Sequence, residues 1–354
     1  MRIAHVNPDP GIAPGRPKGA AVHVDEIRRA LVDLGAEVLA VDEGRDGAVR
    51  EHLDAAHVAA PVALVYQRYA LERFAAFEFA RENELPFVLE VNAPLAEEER
   101  RFRGRERDQD PERERRMFAA ATAVMCVSSE VARWAVERGA PPERTLVRPN
   151  AVDARRFRPR GPDDALRREL APAGAFVVGF HGRLRPWHRF DLLVAALEQL
   201  VAEGLPVHLL TVGEGPYREE IEGRLPPARA TLVPWVHHAE AALYVACYDA
   251  LALSYSTADG TYFSPLKLLE GMACGAVPVV PALGDLEQVV VHEQSGLVYP
   301  AGDPVALAAA LRRLMLDPVL HRRLSLAARA SAEPRSWQAI AREVLDLAGA
   351  PRPA

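Results

Sequence analysis

A chain of 354 residues exceeds the size at which one core keeps growing, so its length predicts two domains of about 150 to 200 residues. Apolar residues make up 49% and charged residues 26%, which excludes a disordered or fibrous chain. A net charge of -6 disfavours a nucleic-acid partner, because such proteins normally carry a basic surface.

Segments that could place the chain in a membrane or an oxidising compartment are not evident. No stretch reaches the roughly 20 apolar residues of a membrane span, and the first residues, MRIAHVNPDP, predict a strand rather than a signal peptide. We therefore expect a cytoplasmic location and no integral membrane segment. Cys126, Cys247 and Cys274 lie far apart in apolar segments, which is typical of buried side chains rather than of a disulfide or metal site.

The first half of the chain alternates short apolar runs with helical patterns, as βαβ units around a parallel sheet do. The first helical pattern ends on Gly35, a typical helix stop. This half predicts one doubly wound α/β domain over residues 1–155. Its predicted strands are residues 2–7, 37–42, 62–68, 87–92, 123–128 and 145–150.

Residues 95–116, LAEEERRFRGRERDQDPERERR, mix both charge signs densely. Such a run is typical of a solvated helix or a mobile loop. A position over the cleft between the two domains, near the acceptor, is the alternative interpretation.

The second half repeats the alternation after a linker-like segment, residues 151–170, which is rich in Arg, Pro and Asp. It predicts a second parallel sheet within residues 156–335. A last helical pattern, residues 336–350, is a candidate to return to the N-terminal domain. The predicted strands of this half are residues 176–182, 209–213, 230–236, 250–256, 277–281 and 296–300.

Three glycine-containing segments follow predicted strands. The helix that starts near Gly19 offers unpaired N–H groups to an anion, although the dinucleotide fingerprint G-x-G-x-x-G is absent, which disfavours a nicotinamide cofactor. Arg183 follows the turn glycine Gly182, where a guanidinium can hold a phosphate. Gly213 and Gly215 let a strand turn into a helix beside a ligand. Ordinary βα junctions and a surface arginine are the alternatives.

The segment STADGTYFSPLKLLEGMACGAVPVVP is the most informative. A loop leads through Pro265 into a helix that carries Lys267 and Glu270 on one face. A carboxylate can accept hydrogen bonds from the two hydroxyls of a ribose, and an ammonium can bind phosphate. An ordinary ion pair is the alternative, but the apolar surroundings disfavour it.

Taken together, these segments resemble glycosyltransferase family 4, a group of retaining enzymes with the GT-B fold, in which two Rossmann-like domains face a central cleft. The resemblance covers nearly the whole chain. It lies in the ordered motifs KGAAVHVDEIRRAL, EVNAPLAEEE, RPNAVDARRFRP, HGRLRPWH, VGEGP, FSPLKLLEGMACGAVPVVP and VVVHEQSGLVYPAGDP. The family implies sugar transfer from a nucleoside diphosphate sugar, with UDP favoured here, to a small-molecule, lipid-linked or natural-product acceptor.

The resemblance also implies residue roles. Arg183 matches the family's phosphate-binding arginine, and Glu270 matches the second glutamate of its Glu-x7-Glu motif, which binds the donor ribose. The predicted catalytic residues are Arg183, Lys267, Glu270 and His188. The predicted donor-binding residues are Gly19, Ala20, Gly182, Gly213, Gly215, Tyr262, Phe263, Ser264, Pro265 and Leu266. On the acceptor side we expect Asn92, Glu90, Lys18 and His23.

Three positions depart from the family pattern. The family's phosphate lysine falls at His188, its first motif glutamate at Tyr262, and its acceptor-side histidine at Asn92 or Glu90. We expect Lys267 to supply the charge that His188 gives only when protonated, so that donor affinity falls as the pH rises through the imidazole range. We also expect Glu270→Ala to raise the donor KM with little loss of stability.

Metal and cofactor are not expected, because the sequence has no His cluster at ligand spacing. The family implies instead that the departing diphosphate helps to deprotonate the acceptor. Three alternatives stay open at this point: a nucleotide-sugar-binding protein without turnover, a GT-B-like sugar-nucleotide epimerase, and a glycosidase that uses paired carboxylates.

Overall fold

The computed structural model describes residues 1–9, 11–12, 18–42, 44–104, 110–160, 165–257 and 264–349. Within these ranges, residues 101–103 are described by their backbone alone. Two six-stranded sheets form its framework. All the strand pairs within both sheets are parallel.

The N-terminal sheet has the strand order β2-β1-β3-β4-β5-β6, so the order reverses between β1 and β3. Its strands are β1 (Arg2–Val6), β2 (Glu37–Val41), β3 (Leu64–Arg68), β4 (Phe87–Val91), β5 (Ala123–Cys126) and β6 (Thr145–Val147). The helices between them are α1 (Gly19–Asp33), α2 (Asp46–Ala59), α3 (Ala75–Glu82), α4 (Leu95–Arg103), α5 (Pro111–Ala120) and α6 (Ser129–Glu137).

The C-terminal sheet has the order β12-β11-β10-β7-β8-β9, and its order reverses between β7 and β10. Its strands are β7 (Phe176–His181), β8 (Val207–Val212), β9 (Ala230–Val233), β10 (Ala250–Ala252), β11 (Val277–Pro281) and β12 (Leu297–Tyr299). The helices are α7 (Ala165–Leu170), α8 (Phe190–Ala202), α9 (Arg218–Arg224), α10 (His238–Val245), α11 (Leu266–Ala273), α12 (Leu286–Val289), α13 (Pro304–Leu316), α14 (Pro318–Ala332) and α15 (Trp337–Leu347).

Both sheets therefore confirm the predicted doubly wound architecture and all twelve predicted strands. The central strands are buried along their whole length because helices cover both faces of a parallel sheet. β4 and β8, for example, are buried at every residue. The cysteines are buried and free. In the part of the chain that the structure describes, no helix combines the length and apolarity needed for a bilayer span.

The last helix, α15, packs against α1 of the N-terminal domain. Ile27 and Leu31 of α1 share an apolar cluster with Trp337, Ala341 and Val344 of α15. The C-terminal segment thus crosses back over the first sheet, and the two domains are joined at more than the linker. The domain limits at residues 155 and 335 stay a prediction.

The charged run at 95–116 forms α4 and most of α5, with residues 105–109 outside the described part. Several of its charges bind side chains of the N-terminal domain. Glu97 accepts a hydrogen bond from the Trp134 indole at 3.0 Å, and Glu114 accepts one from Arg138 at 3.0 Å. These contacts fix the described part of the run as packed helix rather than as loop.

Candidate active site

The site begins where the strand order of the C-terminal sheet reverses. Gly182 and Arg183 follow β7, and Ser254 follows the neighbouring β10. Ligands of open α/β sheets bind in the crevice outside such strand ends. The start of α1 lies opposite, because a Cβ placed on Gly19 would meet Leu266 of α11 at 3.5 Å. Residues predicted from both halves of the sequence are thus brought to one cleft.

Gly213 and Gly215 allow the loops after β7 and β8 to lie side by side. The Gly182 N–H donates to Val212 O at 2.8 Å, and the Leu184 N–H donates to Glu214 O at 2.9 Å. A Cβ on Gly213 would lie 2.2 Å from Gly182 O, and one on Gly215 would lie 2.2 Å from Leu184 O. Both glycines therefore serve the junction itself, and their contact with the donor stays a prediction.

We expect Gly213→Ala to lower the free energy of unfolding by about 1 to 3 kcal/mol, because the new methyl group overlaps backbone atoms. The φ angle of Gly213, +130°, adds strain for any other residue. Gly223→Ala is the matched control, since its Cβ meets nothing within 4 Å and it lies inside α9. The control should raise stability slightly. Urea unfolding compares the two, and equal effects would contradict the packing argument.

Lys267 of α11 is half-buried and reaches the end of β7. Its Nζ lies 3.1 Å from His188 Nε2 and 4.4 Å from the centre of the Phe180 ring. Burial lowers the pKa of Lys267 to about 7, although the nearby Glu270 opposes the shift. The structure thus places a lysine that titrates near neutral pH beside Gly182.

The expectation that His188 supplies positive charge is wrong. The side chain is buried, and burial together with the neighbouring Lys267 holds the pKa of His188 far below its usual range. Its Nδ1 accepts a hydrogen bond from the Arg185 N–H at 3.1 Å. A neutral imidazole then carries its proton on Nε2, which can donate to Lys267 Nζ only while that amine is uncharged. The exposed Arg183 is a cation of this strand end, and Lys267 adds a second positive charge when it takes up a proton.

Glu270 lies between two histidines that the sequence analysis missed. His181 Nε2 is 2.7 Å from Glu270 Oε2, and His238 Nε2 is 2.6 Å from Glu270 Oε1. Burial raises the pKa of Glu270, but the two histidines outweigh it, so this pKa lies below its ordinary value. His181 could have been found from its place at the end of β7, directly before Gly182. His238 carries no such local signal.

His238 also connects Glu270 with the N-terminal domain. Arg156 Nη1 lies 3.4 Å from His238 Nδ1 and donates to Glu26 of α1 at 2.7 Å. These groups border a cavity of about 310 Å³ between the domains. The cavity is lined by Val22, Asp25, Glu26, Arg29, Arg156, His238 and Ala239.

The acceptor-side residues Glu90 and His23 turn their polar atoms inward. Glu90, on β4, is bonded to His23 at 2.7 Å and to Arg68 at 2.9 Å, and both Tyr66 and Asn92 donate to it as well. Of the predicted acceptor residues on β4 and after it, Asn92 is the more exposed. The polar atoms of Glu90 and His23 are thus engaged within the protein, and the role of both residues toward an acceptor stays a prediction.

The remaining predicted residues lie near the start of α1 or of α11. Lys18 Nζ donates to Gly11 O at 2.7 Å and so fixes the loop after β1. Ala20 is half-buried in the first turn of α1, next to Gly19. Ser264 bonds Asn150 and is followed by Pro265 at the start of α11. Tyr262 and Phe263 lie outside the described residues. No group of His, Cys, Asp or Glu within the described ranges has the makings of a metal site.

Comparison with protein families decides the assignment of the C-terminal half. The family model described as "Glycosyl transferases group 1" matches residues 175–317, which include the β7 strand end, Lys267 and Glu270. The C-terminal domain belongs to the glycosyl transferases group 1. The match, together with the relatives below, confirms the resemblance to glycosyltransferase family 4.

Two curated relatives of this chain illustrate the similarity. D-inositol 3-phosphate glycosyltransferase of Thermomonospora curvata is 30% identical over 251 residues, which are 66% of this chain and 58% of that protein. GDP-mannose-dependent alpha-mannosyltransferase of Mycobacterium tuberculosis is 28% identical over 236 residues, 65% of this chain and 57% of that protein. The matched region thus spans little more than half the length of these relatives.

Solved structures extend the likeness in fold to the whole chain. HepE of Anabaena in complex with UDP has a TM-score of 0.75 at 20% identity and covers 98% of this chain and 99% of its own. Sucrose-phosphate synthase of Thermosynechococcus elongatus has a TM-score of 0.76 at 20% identity, with 98% of each chain covered. The two domains of this chain together therefore adopt the GT-B fold.

Proposed function

We propose that the protein is a retaining, metal-independent glycosyltransferase that moves a sugar from a nucleoside diphosphate sugar, with UDP favoured, to an acceptor held by the N-terminal domain. The observation that carries the proposal is Lys267, a half-buried lysine at the reversal point of the C-terminal sheet. Arg183 lies at the same strand end, and the start of α1 faces it across the cleft. This combination suits a diphosphate.

The chemistry requires stabilisation of the leaving group. As the bond from the sugar to the diphosphate breaks, negative charge accumulates on the diphosphate oxygens. An ammonium and a guanidinium held in a water-poor cleft stabilise that charge by electrostatics, and each such donor typically contributes about 2 to 4 kcal/mol. In this proposal Lys267 and Arg183 have that role, and the diphosphate favours the charged form of Lys267.

Glu270 is proposed to bind the donor ribose. Each carboxylate oxygen has two acceptor positions, so the bonds from His181 and His238 leave one position on each oxygen. The two histidines fix the orientation of the carboxylate. They are positioning residues in this proposal, because they act through Glu270.

The comparisons support a nucleotide-sugar donor and leave its base to experiment. The Anabaena neighbour was solved with UDP, whereas the Mycobacterium tuberculosis relative is named for GDP-mannose. In this proposal the acceptor is a small molecule, a lipid-linked sugar or a natural product, as the resemblance implies.

A thermal-shift panel of UDP, GDP, ADP and NAD tests the donor class. A ligand at about 100 times its Kd stabilises the folded state by roughly 2.7 kcal/mol, and we expect UDP to give the largest shift and NAD none. Absence of a shift with every nucleoside diphosphate would contradict the proposal. Binding without transfer to any acceptor would favour a binding protein, and conversion of the donor sugar without acceptor would favour an epimerase.

A further inference from the structure

A chain of hydrogen bonds joins Glu90 and His23 of the N-terminal domain to the start of α11. Glu90 bonds His23 Nε2 at 2.7 Å, and His23 Nδ1 lies 2.7 Å from Asn150 Oδ1. Asn150 then donates to Ser264 twice, from Nδ2 to the backbone oxygen at 2.5 Å and from its own N–H to Oγ at 3.0 Å. Four residues thus connect β4 with the helix of Lys267.

The partners of Asn150 fix the orientation of its amide. The backbone oxygen of Ser264 only accepts hydrogen bonds, so the NH₂ group of Asn150 must face it. The amide oxygen of Asn150 consequently faces His23 Nδ1. Because that oxygen also only accepts, His23 Nδ1 carries a proton.

The partners of Glu90 fix the other nitrogen of His23. Oε1 accepts from Arg68 and Asn92, and Oε2 accepts from Tyr66 and from His23. These four contacts occupy the four acceptor positions of the carboxylate. Both ring nitrogens of His23 are thus held, Nε2 by Glu90 and Nδ1 by Asn150.

We propose that His23 is a positioning residue which, through Asn150, holds Ser264 and the start of α11 in place against the N-terminal domain. Its bond to the Glu90 carboxylate is charge-assisted, and such bonds are about twice as strong as neutral ones, which suits a link that must keep two domains in register. The inference rests on the proposed function for its catalytic meaning. Lys267 and Glu270 both lie on α11, so this link sets the position of the donor-binding groups relative to the acceptor domain.

Asn150→Asp separates the two ends of the link. An aspartate still accepts from His23, but it places a carboxylate oxygen against the backbone oxygen of Ser264. Asn150→Asp should exchange the α11 amides faster and bind UDP at least about 10-fold more weakly. His23→Gln, which breaks the link at its other end, should have the same two effects.

Asn83→Asp is the matched control, because Asn83 Nδ2 also donates to a backbone oxygen, that of Phe79, at 2.9 Å. It should leave UDP affinity and α11 exchange unchanged. Ser264→Ala removes only the bond from the Asn150 N–H and gives a milder second variant. Exchange of the α11 amides in Asn150→Asp equal to that in the control would overturn the inference. This readout needs no ligand, so a wild type that binds no UDP would contradict the proposed function alone.

Discussion

Replacement of Lys267 by methionine is expected to weaken nucleoside diphosphate binding by about 10- to 100-fold without a loss of stability. A hydrogen bond to a charged group contributes about 1.5 to 3 kcal/mol, which corresponds to that change in affinity. Burial disfavours the charged form of Lys267, so an apolar side chain of similar length should not lower stability. Weaker binding combined with equal or higher stability distinguishes a ligand-binding lysine from a structural one.

The pH dependence of binding gives a second measurement on the same residue. Burial holds the pKa of Lys267 at about 7, well below the ordinary lysine value of 10.5. Above pH 7 the free protein therefore has to take up a proton when an anion binds, and affinity falls as the pH rises, by up to about 10-fold per pH unit. The phosphates of UDP are already ionised in this range. The dependence between pH 7 and 9 should vanish in Lys267→Met.

Isothermal titration with UDP measures both effects. Arg329→Met is the matched control, since Arg329 is an exposed cation on α14 that pairs with Glu333 at 2.9 Å. It should bind UDP as the wild type does, with the same pH profile. Wild-type affinity in Lys267→Met, or a flat profile in the wild-type protein, would remove Lys267 from the diphosphate site.

Replacement of Glu270 by alanine is expected to lower the free energy of unfolding by about 3 to 5 kcal/mol, because it leaves the buried His181 and the half-buried His238 without their carboxylate. Only 4% of Glu270 is exposed, and both of its oxygens bond histidines. The burial and the two bonds of Glu270 argue against the sequence-based expectation of a small stability loss. The carboxylate that the sequence places in an apolar helix is an interior group in the fold.

Urea unfolding measures this effect, with Glu287→Ala as the control because that carboxylate is exposed on α12. The control should change stability by no more than about 0.5 kcal/mol. The pKa of Glu270 lies below the ordinary value of 4.5, so its stabilisation is present above that pH and is lost as the pH falls further. Equal stability of the two variants at pH 7 would contradict the interior role.

Donor binding by the Glu270 variant needs a separate readout, since a destabilised protein also loses activity. Glu270→Gln keeps the shape and one acceptor oxygen, so it should fold better than the alanine variant. If Glu270 binds the ribose, UDP affinity should fall more than the affinity for inorganic diphosphate, which has no ribose.

The sequence by itself determined the fold class and the strand ends that form the cleft. Strands of a parallel sheet are apolar throughout, and the turn glycines mark where they end, so the alternation alone predicts two doubly wound domains. Gly182 and Arg183 were found in this way. Their neighbours along the chain indicate the site because the chemistry of such sheets lies at the carboxyl edge.

Only the tertiary structure decided which charges are available to a ligand. The sequence analysis predicted that a ligand contacts His188, His23 and Glu90. In the fold, burial and the neighbouring Lys267 make His188 neutral, whereas Glu90 and His23 are bonded to each other inside the protein. His238 joins Glu270 from a helix 32 positions earlier in the chain. Local patterns record periodicity and turns, whereas desolvation and pairing depend on segments that are distant in sequence, so no local pattern could have revealed them.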